Sequence, residues 1–143
     1  MHNTSLVESI VEYMVWKECD SLPNSTGFIY NPTSGPTQST QIIVTCINDS
    51  LNAPVNVELE VFRWDTAQLA RVPIGHDLAQ ILPQATRTFI YPLINAAFFE
   101  VQSDFFSATS TVIHVYGVDS TGQIIQRILQ SEMTLIDRFT NIP

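Results

Sequence analysis

Glu58 and Glu60 stand two residues apart in Val57-Glu-Leu-Glu-Val61. In an extended chain that spacing puts both carboxylates on one face, the geometry from which a carboxylate pair does acid–base work. On an open sheet face such a pair is ordinarily solvated, or it pairs across strands with a cation such as Arg63 or Arg87. Three histidines accompany these acids. His2 is terminal. His76-Asp77 sets an acid beside an imidazole, but a dipeptide alone fixes no geometry. His114 alternates in phase with Val112 and Tyr116 and reads as a strand residue with a hydrogen-bonded ring. Cys19 and Cys46 have the wrong spacing for a zinc site, and no third ligand is close in sequence. Cys46 keeps phase with Ile42 and Val44 as a small core residue, and neither thiol has a histidine near it in sequence to activate it. A Cys19–Cys46 bridge would tie the N-terminal segment to the remainder, within one chain or between chains. Gly-x-Ser-x-Gly, His-Glu-x-x-His, a phosphate-cradling loop and an EF-hand series do not occur. The sequence therefore reads as that of a non-enzyme, with no metal and no cofactor.

The elements that carry these residues repeat with period two. Thr40–Asn48 is β-branched. Val55, Val57, Leu59 and Val61 alternate with Asn56, Glu58 and Glu60, the pattern of a half-buried strand. Val72, Ile74 and Leu78 continue it, with Pro73 and Gly75 marking an edge or a bulge. Pro83-Gln-Ala85 reads as a turn. Arg87–Tyr91 and Phe98–Ser103 read as short strands. Thr111–Asp119 and Gln123–Leu129 flank Asp-Ser-Thr-Gly122, a hairpin signal. Strands about every ten residues, without helices between them, predict an all-β antiparallel sandwich of about seven or eight strands, jelly-roll or immunoglobulin-like.

The N-terminal segment differs. Leu6, Val7, Ile10, Val11, Met14 and Val15 form one face of a helix, with Ser5-x-x-Glu8 as a capping box. As a strand, Val7, Val11, Tyr13 and Val15 would share a face instead. Either way an apolar arm, residues 1–25 with the linker-like stretch Asp20–Gly27 at its end, precedes a sandwich domain, 26–143. Burying six aliphatic side chains is worth several kcal/mol, so the arm must pack on its own domain or on a neighbour. A neighbour would take it up by strand addition.

The chain has 143 residues, 14 acidic and 6 basic, for a net charge of −8. That balance argues against nucleic acid and against anionic membrane surfaces. No apolar run is long enough to span a bilayer, and the first residues, MHNTSLVESIVEY, carry no cationic n-region of the kind a secretory signal shows. Ser, Thr, Asn and Gln supply 43 residues against a single lysine, Lys17. Neutral polar surfaces of this kind repel neighbouring copies weakly and suit extracellular or assembled proteins. Phe62 and Trp64, Phe89 and Tyr91, and the doublets at 98–99 and 105–106 place rings on both strand faces. Exposed rings such as Trp64 or Tyr91 would suit a carbohydrate- or ligand-binding module.

Val57-Glu-Leu-Glu-Val-Phe-Arg-Trp-Asp65, the turn Leu82-Pro-Gln-Ala85, Val115-Tyr-Gly-Val-Asp-Ser-Thr-Gly-Gln-Ile-Ile125 and Arg127-Ile-Leu-Gln-Ser-Glu-Met-Thr-Leu-Ile136 resemble small β-sandwich proteins of spore-forming Firmicutes. Among these the chain is most similar to endospore appendage fibre subunits, in pattern over residues 26–136. The resemblance implies a jelly-roll-like structural subunit at the spore or cell surface. It also implies a connector near Leu6 to Trp16 that docks on copies of the same chain, with other spore-surface proteins as further partners. Those subunits carry a cysteine pair near the start, whereas this chain has only Cys19 there. The expected joint is therefore non-covalent.

Overall fold

The computed structural model describes residues 22–32, 35–65, 67–94, 96–106 and 110–140. The arm residues Leu6, Val7, Ile10, Val11, Met14, Val15 and Trp16, and Cys19, lie outside them. Ten strands are formed among the described residues: β1 (Asn24–Ser25), β2 (Ile29–Tyr30), β3 (Gln41–Asn48), β4 (Val55–Asp65), β5 (Ala70–Ile81), β6 (Thr86–Pro92), β7 (Ala96–Phe106), β8 (Thr111–Val118), β9 (Ile124–Leu129) and β10 (Thr134–Leu135). Three of them, β1, β2 and β10, are two-residue strands; the other seven form the body of an all-β sandwich.

Every pairing is antiparallel. The first sheet runs β10-β1-β7-β4-β5, with β2 also on β7, and the second runs β6-β3-β8-β9. From β2 to β8 the chain crosses between sheets at every step except the β4–β5 hairpin. The resulting order, β2-β7-β4-β5 facing β8-β3-β6, is a jelly-roll arrangement rather than an immunoglobulin one.

Alternation builds the core. Ile42, Val44 and Cys46 of β3 point inward beside Ile113 and Val115 of β8, and they meet Val57, Leu59 and Val61 of β4 and Phe99 and Val101 of β7. Each large side chain fully buried this way contributes roughly 1.5–3 kcal/mol. Cys46 is a free thiol inside this core, and burial pushes its pKa up to about 12. Cys46 thus occupies the core position expected from its phase, while Cys19, the other half of the expected bridge, lies outside the described residues.

The edge strand β5 is fixed in place from the core side. Val61 pairs with Gly75 and Phe62 with Pro73, so Ile74 is the extra residue of a bulge. A Cβ on Gly75 would run into the ring of Tyr91 from the opposite sheet. Tyr91 is buried, and its hydroxyl donates to Asp77 Oδ2 at 2.6 Å. The expectation of an exposed Tyr91 is therefore corrected, because its ring closes the seam between β5 and β6. The described part of the expected linker also differs from expectation. Asn24 and Ser25 form β1 between β7 and β10, where turn-forming residues find backbone partners in place of solvent.

Candidate functional site

The two sheets present very different outer faces. On the second sheet, residues between the core positions point outward: Ile43, Thr45 and Ile47 from β3, Val112, His114 and Tyr116 from β8. In register beside them stand Ile90 and Thr88 of β6, and Arg127 and Leu129 of β9. Arg127 carries the one formal charge among these residues. Ile90 is 58% exposed. The His114 and Tyr116 rings meet edge-on, with centroids 6.3 Å apart. His114 is thus the partly buried strand residue its phase implies, sitting beside a ring.

The outer face of the first sheet is polar and largely closed. Along β4, Glu58, Glu60, Phe62 and Trp64 face outward, opposite in phase to Val57, Leu59 and Val61. Along β7, Glu100, Gln102 and Asp104 do the same, yet all three are buried. Register places Glu60 between His76 of β5 and Gln102 of β7, and Glu58 between Leu78 and Asp104.

Glu58 and Glu60 do share a face, as expected, but Glu60 is not solvated and neither acid is paired with Arg63 or Arg87. Arg63 falls one residue out of phase and bonds Asp65 Oδ2 at 3.2 Å instead. Arg87 belongs to the other sheet, where it lies over the Phe89 ring. The partner of Glu58 is His76, with Nε2 and Oε2 2.7 Å apart. Glu60 is only 5% exposed, and its Oε1 has no hydrogen-bond partner. Burial raises the Glu60 carboxyl above its ordinary range; His76 opposes that shift and Glu58 adds to it. One ligand atom from each of Glu58, Glu60 and His76 lies within 4.8 Å of the others. This trio was half legible, since the carboxylate spacing was plain in sequence. The histidine is 16 residues beyond Glu60, and only the β4–β5 pairing joins them.

Two rows along from this trio is a second cluster that sequence inspection misses. Arg71 Nη2 lies 3.3 Å from Glu100 Oε1, while Ser25 Oγ and Gln102 Nε2 donate to Glu100 Oε2. Gln102 exchanges hydrogen bonds with Thr140, whose hydroxyl also accepts from Arg71 Nη1. The ring of Phe28 lies under the Arg71 guanidinium, 4.9 Å away, and contacts Trp64 and Phe98. Tyr30 meets Phe98 edge-on. Trp64, proposed from sequence as a ligand-stacking ring, is therefore one member of a four-ring group.

No protein-family model matches the chain. No curated protein matches it either. The crystal structure of Thermotoga maritima 1070 is similar over 80% of this chain and 91% of that one, at 9% identity and a TM-score of 0.44. Among the described residues no helix is long and apolar enough to cross a membrane.

Proposed function

We propose that the chain is a structural subunit that self-assembles into a surface (spore) fibre or layer, the apolar arm of one copy docking on its neighbour. The supporting observation is the outer face of the second sheet. Ile43, Ile47, Ile90, Val112, Tyr116 and Leu129 form an apolar surface in which the charge of the chain plays almost no part. An arm carrying Leu6, Val7, Ile10, Val11, Met14 and Val15 has matching chemistry and would gain by leaving water. A head-to-tail joint of this kind does not close on itself and propagates as a filament or layer.

Sedimentation velocity of the full chain tests this. Wild type sediments as large assemblies, whereas Ile43→Lys and, separately, the arm variant Leu6→Ser/Val7→Ser/Ile10→Ser run as folded monomers. Wild type that stays monomeric at high concentration, or an arm variant that still assembles, contradicts the reading.

The four-ring group of Phe28, Tyr30, Trp64 and Phe98 favours a second reading, an extracellular module that stacks on carbohydrate or another planar ligand. A tryptophan-fluorescence titration with oligosaccharides, lost in Trp64→Ala, would support it.

A further inference from the structure

We propose that Glu58, Glu60 and His76 bind one divalent transition-metal cation, zinc foremost, with water completing its shell. The geometry carries the proposal. Two carboxylates and one imidazole converge from two paired strands, each offering a ligand atom within 4.8 Å of the other two. Glu60 stands directly opposite His76 in the β4–β5 register, and Glu58 already touches His76 at 2.7 Å. A cation about 2.0–2.2 Å from each ligand would draw the three closer together and replace the Glu58–His76 hydrogen bond.

The unpartnered atom is the independent sign. Buried carboxylate oxygens are normally hydrogen-bonded, and exceptions call for a cause such as an ion. Glu60 is only 5% exposed, its Oε1 lacks any hydrogen bond, and the charged groups acting on its carboxyl are Glu58 and His76. A dication held by the trio balances the two carboxylates and offers the buried Glu60 carboxylate a partner.

Ligand type sets the class of cation. An imidazole nitrogen with carboxylate oxygens suits zinc or manganese, whereas calcium prefers six to eight oxygen ligands. Three protein ligands leave coordination positions open, as in zinc sites that keep a bound water. Access is available from the edge of the sheet, where the His76 side chain is 48% exposed. The backbone on either side of His76 is held from the core, by Gly75 against the Tyr91 ring and by Asp77 on the Tyr91 hydroxyl. That anchoring limits the directions in which the imidazole can point.

The site does not depend on assembly, and its test is scored in any oligomeric state. Chelator-treated full-length protein is titrated calorimetrically with zinc chloride, then with manganese and calcium chloride. One equivalent of zinc is expected to bind saturably, with calcium weaker by about tenfold or more. Glu60→Gln and His76→Ala should each weaken zinc binding by at least about tenfold, and the exposed control Glu132→Gln should leave it unchanged. X-ray absorption of the zinc-loaded protein should show one nitrogen among mainly oxygen ligands. His76→Ala removes an exposed side chain from an edge strand, so it reports even if Glu60→Gln misfolds. Absence of saturable zinc uptake by wild type overturns the proposal. So does zinc affinity that is unchanged in folded His76→Ala.

Discussion

The outer faces of the two sheets are built on the same two-residue alternation and come to opposite ends. On the first sheet, outward positions of β4 and β7 hold Glu60, Glu100, Gln102 and Asp104, all nearly closed to water. On the second, outward positions of β3 and β8 hold Ile, Val, Thr, His and Tyr, all partly open. Polar groups are thus enclosed on one side of the molecule and apolar groups exposed on the other. Polar side chains tolerate enclosure only with specific partners, and Glu100 draws them from far along the chain: Ser25 is 75 residues away, and Arg71 comes from β5. An apolar face needs only area, which a second copy of the chain can provide. Charge in the second sheet is handled locally. In the β8–β9 hairpin, Asp119 Oδ1 accepts from the Thr121 hydroxyl and from the Thr121 and Gln123 amides, and these bonds hold its carboxyl below the usual range.

Removing a partner on the enclosed face should have the largest effect. Arg71→Ala leaves Glu100 buried without its cation, and the expected loss is roughly 2–4 kcal/mol, tempered by the partial exposure of Arg71. Urea unfolding measures it. Adding Glu100→Gln to Arg71→Ala should restore much of that loss; equal stability of the single and double variants would mean that the charge pair is not what matters there.

A smaller effect is expected at the seam between the two sheets. Gly75→Ala drives a methyl into the Tyr91 ring, at a cost of about 1–3 kcal/mol. The same substitution in Tyr91→Ala should be nearly neutral by comparison, because its obstacle is gone. Non-additivity in that cycle, measured by thermal or urea unfolding, identifies the contact.

The smallest effect on stability belongs to the open face. Ile43→Lys should change unfolding free energy by no more than about 0.5 kcal/mol in the monomer, since its side chain points away from the core. A loss comparable with that of Arg71→Ala would mean that this face is internally covered, and the contrast between the two faces would fail.

The course of the chain was legible wherever one strand face is apolar and the other is not. Val55 to Val61, the β-branched run of β3 and the Asp-Ser-Thr-Gly hairpin all appear as their alternation indicates. Pro73 and Gly75 flank a bulge on an edge strand, where both residues are tolerated. β7 was legible only in part. Glu100, Gln102 and Asp104 look like solvent-facing residues, and nothing local announces that Ser25, Arg71 and Thr140 enclose Glu100 and Gln102. β1 was missed for a related reason: Asn24-Ser25 has turn composition, and its two pairings come from strands about 80 and 110 residues later. The Glu58–Glu60–His76 trio lay between these cases. Spacing along one strand revealed the acids, and pairing between strands was needed to add the imidazole.

The most direct test of the assembly joint is a photo-crosslink from the open face. Full-length chain with a benzophenone amino acid in place of Tyr116 is mixed, half isotopically labelled and half unlabelled, and irradiated under assembling conditions. Crosslinked peptides that join position 116 of one isotopic form to residues 6–16 of the other are expected. Crosslinks confined to single molecules, or none to that stretch, would contradict it.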